Sequence, residues 1–450
     1  MLSALLAERE KKGKPIKVGI IGTGKFGGGL VTQIARMKGM TVSAIADIKP
    51  ENARYAYAAA YGDVAVGSAD SQQALAGAIH AGRFAVVEDG LLVAEAEGLD
   101  VVVEATGLTD VGAKMASATI AAGNHLVMVN VETDVTIGAL LRRKADSAGV
   151  VYSLVDGDQP GVTMHIIEWA WSLGFEIVAA GRGTELFASD PVGTPDSVPE
   201  RYGFDEETLQ RRTINLKMYN SFRDGTKAQV EATAIANMAG LVPDVRGMHE
   251  PSCNLADIPQ RCSLVEEGGL LSQHGVIELA NSVAADGETM LDNPLKMGVF
   301  AVIRAEHPFI AEDLTNYNCH PGGDGKNFLL YRPYHLVAVE APITIARAAL
   351  YGMPTGAPRP TPSADVIAVA KRDLQAGEVL DGGGGYTVLG QSEKATVARD
   401  EGLLPLGLAQ GAVLQVDVAQ GAAIGYDMVA LVEESLVAEL RREQDALVWQ

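Results

Sequence analysis

The sequence predicts an α/β protein with a Rossmann-type doubly wound parallel sheet, then an α+β substrate domain, then a small β-rich C-terminal domain. Strand-like apolar runs alternate with helix-like segments over the first third of the chain, an order typical of a parallel sheet. The next region mixes helical and strand-like segments irregularly, which is typical of an α+β domain. After residue 365, glycines separate short apolar runs, a pattern that predicts many short strands.

The first strand-like run, residues 17–21, ends in a G-x-G-x-x-G turn that is followed by a helix-like segment. Gly22 permits the tight turn, Gly24 lets a pyrophosphate approach the backbone, and Gly27 lets the helix pack on the strand. A second strand-like run ends in Asp47, the acidic position that contacts the adenosine ribose in such sites. This context predicts a nicotinamide dinucleotide site formed by Gly22, Thr23, Gly24, Lys25, Phe26, Gly27 and Asp47.

Two further apolar runs end in small or polar residues, as buried parallel strands do. Residues 99–105 lead into Thr106 and Gly107, and residues 125–130 repeat the pattern. Ligands of doubly wound sheets bind beyond the carboxyl ends of the strands, so we expect Thr106 and Gly107 on the nicotinamide side of the cofactor. Residues 62–98 are longer than a plain crossover, which predicts one or two additional helices there.

Length and charge limit the class of protein. A chain of 450 residues predicts two or three domains. The net charge of −21 argues against nucleic acid and anionic membrane surfaces as partners, because both attract basic patches. No apolar run is long enough to cross a bilayer, and residues 1–14 lack the apolar region of a signal peptide and predict a surface helix. Cys253, Cys262 and Cys319 fit no disulfide or metal pattern, so we expect reduced thiols in a cytoplasmic protein.

Three domains are predicted along the chain. The dinucleotide-binding Rossmann domain takes residues 1–158 and the substrate domain takes residues 159–352. Within the substrate domain, the three prolines of residues 189–201 predict a loop without a regular element. The proline-dense residues 351–363 predict a linker to the C-terminal domain, residues 353–450, which ends in a charged helix.

The C-terminal residues 371–380, together with residues 417–427, resemble a SAF domain, the β-clip module of antifreeze-like proteins and sugar-acid dehydratases. The whole chain resembles the homoserine-dehydrogenase-like family that carries this module, and within that family it resembles the DXP reductoisomerase-like enzymes. The resemblance rests on the SAF-like module, the glycine-rich turn, and residues 156–161, 221–227 and 331–336. The resemblance implies NADPH-dependent isomerising reduction of 1-deoxy-D-xylulose 5-phosphate to 2-C-methyl-D-erythritol 4-phosphate, a step of isoprenoid precursor synthesis. The motifs of the ordinary reductoisomerase are absent, so no active-site residue is carried over from that enzyme.

Such a reaction needs a group that moves hydroxyl protons, an electrophile for the carbonyl and cations for the phosphate. Lys227 is the first candidate, because it begins a helix after a glycine-containing turn; the alternative is a solvated surface lysine. Glu231 lies one helical turn on and can orient or titrate Lys227, or form a plain surface ion pair with it. His335 can carry protons near neutral pH, or be a hydrogen-bonded core residue.

Asp156 and Asp158 end the last strand-like run of the Rossmann domain. Two carboxylates at that spacing can hold Mg²⁺ or Mn²⁺ or act as a general base; the alternative is a turn in which an aspartate caps the next helix. For the substrate phosphate we expect a two-pronged bond from Arg332 and a point charge from Lys326, unless both are solvated surface cations. Glu185, at a strand end, is a further substrate-binding candidate or a solvated loop carboxylate.

Two signals conflict over the cofactor. Asp47 favours NAD, because a carboxylate repels a 2′-phosphate, whereas the family resemblance favours NADPH. Lys49 and Arg54 lie close enough in sequence to offset the repulsion, so NADPH is the prediction. Two other functions stay open: an oxidoreductase of the same family acting on another small carbohydrate or sugar phosphate, and a non-catalytic nucleotide-dependent sensor. Symmetric dimers are the commonest oligomers, so a homodimer is expected.

Overall fold

A parallel β-sheet forms the first part of the chain, which confirms the predicted fold class. The computed structural model describes residues 1–207 and 214–449. The strands of this sheet are β1 (Ile16–Ile21), β2 (Met40–Ala46), β3 (Val66–Ser68), β4 (Phe84–Val87), β5 (Val101–Glu104), β6 (His125–Met128) and β7 (Tyr152–Leu154). All seven are parallel, in the order β3-β4-β2-β1-β5-β6-β7. The chain changes direction across the sheet between β1 and β5, the switch point at which such sheets bind ligands.

Helices connect these strands. They are α1 (Leu2–Lys11), α2 (Lys25–Ile34), α3 (Pro50–Tyr61), α4 (Gln72–His80), α5 (Gly90–Ala94), α6 (Thr109–Ala121), α7 (Val131–Ala148) and α8 (Gln159–Ser172). The surface helix expected at the start is α1, in which Leu6 is the buried residue. The one or two additional helices expected in residues 62–98 are present as α4 and α5, and the same segment also contributes β3 and β4 to the sheet.

A mixed six-stranded sheet follows, with strand order β12-β13-β11-β8-β10-β9. Its strands are β8 (Glu176–Thr184), β9 (Val242–Pro243), β10 (Val276–Asn281), β11 (Val299–Arg304), β12 (His320–Pro321) and β13 (Asn327–Arg332). The helices of this region are α9 (Val198–Tyr202), α10 (Leu216–Arg223), α11 (Thr226–Ala239), α12 (Ile258–Arg261) and α13 (Pro308–Asn316). The prediction that residues 189–201 contain no regular element is wrong at α9, because Pro199 stands in its first turn, where no helical partner for an N–H is needed.

The remaining elements group with the two parts already described. They are α14 (Val337–Tyr351), β14 (Ala364–Ala370), β15 (Val388–Lys394), α15 (Ala395–Asp400), β16 (Val413–Leu414), β17 (Val429–Ala430) and α16 (Leu436–Val448). The chain divides into two compact units. The first unit takes residues 1–162, 336–361 and 436 to the end, and the second takes residues 163–335 and 362–435. The strands expected in a separate C-terminal domain therefore belong to the same unit as the mixed sheet.

The proline-dense residues 351–363 pack on the first sheet instead of forming a free linker. The N–H of Leu154 donates to the carbonyl of Gly356 at 2.8 Å, and the N–H of Thr355 donates to Ser153 Oγ at 2.9 Å. The segment thus lies along the edge strand β7, a place where proline is tolerated because no further strand has to pair with it.

Two helices from later in the chain complete the first unit. α14 packs against α2 and adds Ile345 to the apolar core that also holds β1. α16, which was expected to end the C-terminal domain, packs on α6 and α7 instead. The side-chain amide of Gln444 accepts from the N–H of Leu140 at 3.0 Å and donates to the carbonyl of Thr136 at 3.2 Å, which fixes α16 on α7.

The three cysteines, Cys253, Cys262 and Cys319, are free thiols. Cys253 and Cys262 are buried, and burial raises the pKa of Cys253 to about 12, so this thiol is not reactive. None of the helices in the described ranges is long and apolar enough to cross a membrane.

α11 is buried on almost every side, because it lies against two sheets of the second unit. Gln229 Oε1 accepts from the N–H of Ser392 at 2.8 Å, which fixes one face of the helix on β15. Towards the mixed sheet, Glu231 forms an ion pair with Arg182 of β8. Polar contacts of α11 on both sides therefore set its orientation.

A buried ion pair connects the C-terminal strands to the turn before α11. Lys371, directly after β14, is 3% exposed, and Asp224, between α10 and α11, is 2% exposed. The ammonium donates to Asp224 Oδ2 at 2.5 Å and to the carbonyls of Gly193 and Gly385 at 2.9 and 2.8 Å, so its three donors are all used. Burial raises the pKa of Asp224, and the charge of Lys371 opposes that rise.

Lys371→Met should lower the free energy of unfolding by about 3–5 kcal/mol, because it leaves the Asp224 carboxyl buried without its cation. Urea denaturation of the full chain measures the effect. Arg142→Met is the matched control: it removes the partner of Asp146 on the surface of α7 and should change stability by about 0.5 kcal/mol or less. Adding Asp224→Asn to Lys371→Met should recover part of the loss. Equal effects of Lys371→Met and Arg142→Met would contradict the importance of the buried pair.

Candidate functional site

The glycine-rich turn lies at the switch point of the parallel sheet. Gly22 has φ +94°, and a Cβ there would lie 2.8 Å from the carbonyl oxygen of Ala105, so glycine is required. A Cβ on Gly27 would collide with the carbonyl of Gly22, which accounts for the close packing of α2 on β1. No atom lies within 4 Å of a Cβ built on Gly24, so the space that a pyrophosphate needs is open. The N-terminus of α2 has no side-chain cap, and the turn therefore fits a dinucleotide.

Asp47 follows β2 and holds this turn. Its carboxylate accepts hydrogen bonds from the N–H of Thr23 at 2.9 Å, from the Thr23 hydroxyl, and from the N–H of Lys49 at 2.9 Å. The two cations expected to offset its charge behave differently. Arg54 donates to the carbonyl of Val66 at 2.9 Å and is held by β3, whereas the Lys49 side chain is exposed. Lys49 is thus the cation better placed to meet a 2′-phosphate.

Glu104 is a residue of this site that sequence reasoning missed. It ends β5, is fully buried, and accepts hydrogen bonds from the N–H of Thr106 at 2.9 Å and from the Thr106 hydroxyl. Burial raises the pKa of Glu104 to about 7, against the hydrogen bonds from Thr106 and Asn130. The carboxyl group therefore fixes Thr106 and Gly107 at the carboxyl end of β5. An acidic residue after three valines was the available signal, because buried acids are rare without partners.

In the second unit, strand pairing brings distant residues to one edge of the mixed sheet. Arg182 of β8 pairs with Val299 of β11, which pairs with Arg332 of β13. Thr184 of β8 pairs with Asn281 of β10. We call the edge formed by Arg182, Thr184, Asn281 and Arg332 the Arg332 edge.

Lys227 lies on α11 at the Arg332 edge. Gly225, with φ +87°, turns the chain into α11, and a Cβ there would lie 3.4 Å from Leu186, just beyond β8. One helical turn beyond Lys227, on the same face, Glu231 pairs with Arg182. Lys227 is half-buried and therefore not a fully solvated surface lysine.

Glu231 is not the surface ion-pair residue that the alternative interpretation expected. Its side chain is 4% exposed and that of Arg182 is 7% exposed, so their ion pair is interior. Arg182 Nε also donates to the carbonyl of Gly183 at 3.0 Å, which fixes the guanidinium group. The role of Glu231 in orienting Lys227 stays a prediction, now as a member of the pair that holds α11 on β8.

His335 lies at the same edge, because the loop that leads into β11 holds its ring. His335 Nδ1 lies 2.9 Å from the carbonyl oxygen of Met297. A carbonyl oxygen only accepts, so Nδ1 carries a hydrogen and Nε2 is the acceptor of the neutral ring. His335 is half-buried and is not the core residue that the alternative expected.

Lys326 and Arg332 do not hold one phosphate together, which corrects the sequence-based expectation. β13 runs from Asn327 to Arg332, so Lys326 and Arg332 stand at opposite ends of an extended strand, about 20 Å apart. Lys326 pairs with Glu306 at 3.2 Å. The Arg332 guanidinium carbon lies 4.4 Å from the ring centre of Tyr334, a cation–π contact at the Arg332 edge.

A cavity of about 380 Å³ opens beside the carboxyl end of β8. Its wall includes Phe187, Ser189, Arg201, Arg223, Gly287 and Glu288. Glu185, just before this wall in sequence, pairs with Arg223 at 3.1 Å, so it is an ion-paired carboxylate and not a freely solvated one. Sequence reasoning missed Arg201 and Arg223, because no local pattern distinguishes them from surface arginines.

Asp156 and Asp158 belong to the first unit, and their contacts are those of a turn and a helix start. Asp158 Oδ1 accepts from the N–H of Gln159 at 3.0 Å, at the beginning of α8. Asp156 is 1% exposed, and its Oδ1 accepts from the N–H of Gly157 at 2.9 Å. Within residues 1–207 and 214–449, no group of three or more His, Cys, Asp or Glu side chains is placed to hold a metal ion. The expected Mg²⁺ or Mn²⁺ site therefore finds no support in these donors.

One comparison with known proteins finds a family model similar to part of the chain. Residues 157–341 match the model of a family described as oxidoreductase DRL, catalytic domain. Lys227, Glu231, Arg332 and His335 lie within this matching stretch. No curated protein matches the chain.

Solved structures of dehydrogenases are among those that the chain matches. A probable dehydrogenase from Thermotoga maritima is 11% identical over 75% of this chain and 90% of its own, with a TM-score of 0.40. A myo-inositol dehydrogenase from Corynebacterium glutamicum ATCC 13032 is 10% identical over 75% of this chain and 89% of its own, with a TM-score of 0.40. These values are low, and the fold class follows from the strand order of the two sheets.

Gly24→Val should abolish NAD(P)H binding without unfolding the protein. The valine fits the protein, because no atom lies within 4 Å of the Cβ position, but it occupies the space of the pyrophosphate. Gly77→Val in α4 is the matched control, since a Cβ there is equally unobstructed. Fluorescence titration with NADPH measures affinity, and circular dichroism reports the fold. Wild-type affinity in Gly24→Val would mean that the dinucleotide binds elsewhere.

Asp47→Asn should shift cofactor preference towards NADPH by roughly tenfold, because it removes a negative charge beside the 2′-phosphate. The asparagine oxygen can still accept from the Thr23 N–H, so the glycine-rich turn should keep its shape. The ratio of dissociation constants for NADH and NADPH is the measurement. An unchanged ratio would show that Asp47 does not face the ribose.

Proposed function

We propose that this protein is an NAD(P)H-dependent oxidoreductase acting on a small carbohydrate or sugar phosphate. The observation that carries the proposal is that Lys227, in the first turn of α11, and His335, held by the loop before β11, both belong to the Arg332 edge of the mixed sheet, inside the stretch that matches the model of an oxidoreductase catalytic domain. Two groups able to move protons therefore belong to one edge of the second unit, while the first unit has a turn that fits a dinucleotide.

The cofactor class follows from the glycine-rich turn, and NADPH is its preferred form. A bound nicotinamide supplies a hydride to the substrate. The Asp47 carboxylate is engaged by Thr23 and by the N–H of Lys49, and the Lys49 side chain is exposed. Asp47 thus keeps its negative charge but uses it to hold the glycine-rich turn, and the cation of Lys49 is close by in sequence, which supports acceptance of a 2′-phosphate.

Lys227 and His335 divide the proton transfers. During reduction the carbonyl carbon gains a hydride and its oxygen becomes an alkoxide, to which the Lys227 ammonium donates a proton. The same ammonium stabilises the negative charge while it develops. His335 Nε2 is the acceptor of its neutral ring and can remove a proton from a neighbouring hydroxyl.

Within this class, the isomerising reduction of 1-deoxy-D-xylulose 5-phosphate is the reaction that the family resemblance singles out. It requires removal of a hydroxyl proton before the hydride arrives, a task for which His335 is suited. Lys326 is not expected to bind the phosphate of this substrate, because it stands at the opposite end of β13 from Arg332. Reduction of another small carbohydrate would use Lys227 and His335 in the same way.

A substrate panel tests the proposal and the competing sensor function. Small aldoses, ketoses and inositols, with their phosphates and including 1-deoxy-D-xylulose 5-phosphate, are offered with NADPH and NADH, and the polyols with the oxidised cofactors. The absorbance of the reduced nicotinamide reports turnover. Turnover that disappears in Gly24→Val supports the oxidoreductase. Tight cofactor binding with no turnover of any compound favours the sensor.

Lys227→Met should lower kcat by roughly 10²-fold, because it removes the proton donor and keeps most of the side-chain volume. NADPH affinity should stay unchanged, since the dinucleotide turn belongs to the other unit. Lys12→Met, which removes a surface lysine paired with Glu8 on α1, is the control and should turn over normally. Near-normal turnover of Lys227→Met would make Lys227 a surface lysine and leave the proton transfer to His335.

A further inference from the structure

We propose that the cavity walled by Arg201 and Arg223 binds the phosphate group of a phosphorylated substrate. The proposal rests on the proposed function for the identity of that substrate, but its structural support is separate. Arg201 comes from α9 and Arg223 ends α10, so two helices bring guanidinium groups to one cavity. The assignment replaces Lys326 as the cation for the phosphate.

A buried carboxylate positions both guanidinium groups. Asp190 is fully buried, its Oδ1 pairs with the Arg201 guanidinium, and its Oδ2 lies 4.0 Å from the Arg223 guanidinium. The same Oδ2 accepts from the N–H of Phe187 at 2.9 Å, which fixes the carboxylate. Because Asp190 is itself held by the backbone, the two cations have defined places on the cavity wall.

Both guanidinium groups keep hydrogen-bond donors for a ligand. Arg201 donates to Ser189 Oγ at 3.1 Å, and Arg223 donates to Glu185 Oε1 at 3.1 Å. Each guanidinium has five N–H donors, so these contacts and those with Asp190 do not use them all. The side chains of Arg201 and Arg223 are 25% and 22% exposed, which leaves them largely enclosed but open to the cavity.

The two guanidinium groups suit an anion that accepts several hydrogen bonds. Burial, and then the neighbouring Arg223, lower the pKa of Arg201, as expected for two cations brought close together. Asp190 pairs with Arg201 and Glu185 pairs with Arg223, so each guanidinium has a close carboxylate partner, while the Glu288 carboxylate is exposed to water. A phosphate monoester carries nearly two charges at neutral pH and accepts two-pronged bonds from arginine.

The cavity neighbours the proton donor along the chain. Arg223 ends α10 and Lys227 stands in the first turn of α11, with the Gly225 turn between them. Leu186, next to Phe187 of the cavity wall, abuts that same turn. A small sugar phosphate held at its phosphate by Arg223 would therefore have its carbon chain near Lys227.

Calorimetric titration of the full chain with inorganic phosphate tests the site without turnover. Arg223→Lys and Arg201→Lys keep the charge and lose the planar fork, so each should weaken phosphate binding by roughly tenfold. Arg246→Lys is the matched control, an arginine paired with Glu393 and Glu401 away from the cavity wall, and it should bind phosphate like wild type. Acetate should bind more weakly than phosphate to wild type.

Several outcomes would overturn the assignment. They are no phosphate binding by wild type, unchanged binding in both arginine variants, an equal loss in Arg246→Lys, and acetate binding as tight as phosphate. Thermal unfolding and NADPH titration show that each variant is folded, and if Arg223→Lys fails this check, Arg201→Lys decides.

A kinetic experiment separates this proposal from the proposed function. For a phosphorylated substrate of the panel, Arg201→Lys should raise KM by roughly tenfold and leave kcat near normal, while KM for the unphosphorylated counterpart stays unchanged. A panel without any turnover overturns the proposed function alone, because phosphate titration still reports the cavity. Turnover with equal KM changes for both forms of the substrate overturns the phosphate site alone.

Discussion

The ammonium of Lys371 binds three acceptors that come from three separate segments of the second unit. Gly193 comes shortly after Ser189 of the cavity wall in sequence, Asp224 precedes α11, and Gly385 lies between β14 and β15. A buried ammonium group is stable only when each of its N–H donors has an acceptor. The contacts of Lys371 therefore hold the three segments in one arrangement. The turn that positions Lys227 is fixed by Lys371, which lies 147 residues after Asp224 in the sequence. Placement of the candidate proton donor therefore depends on this contact.

Features with a local cause could be predicted from the sequence. The glycine-rich turn is one, because Gly27 is required by the carbonyl of Gly22, which lies close before it in the sequence. The alternation of apolar strands and helices gave the fold class, since a parallel sheet needs a crossover after each strand. The start of α11 followed from Gly225, whose positive φ ends one helix and begins the next. In each of these cases the residues that decide the structure are close together in the sequence.

Features decided by long-range pairing could not be predicted. Glu231 looked like a surface residue because its partner Arg182 is 49 residues away, on another element. Lys326 and Arg332 looked like neighbours because their separation in sequence is short, although an extended strand puts them at opposite ends. The packing of α16 was missed for a related reason: nothing in its local sequence shows that it packs on α6 and α7. Glu104 was also missed, but its signal was local: a charged residue at the end of a run of valines is visible in the sequence.

The discontinuous first unit has a consequence for the order in which the protein folds during synthesis. Gln444 contacts Leu140 across 304 residues, so α6 and α7 leave the ribosome long before the helix that covers them. The strands of the parallel sheet are synthesised before α14 and α16, so the apolar surface that each helix buries stays exposed until that helix has been made. Contacts between such distant residues form slowly and leave time for aggregation. All residues of the second unit are synthesised before α16, so the first unit, although its strands come first, is the last of the two units to have all its helices available.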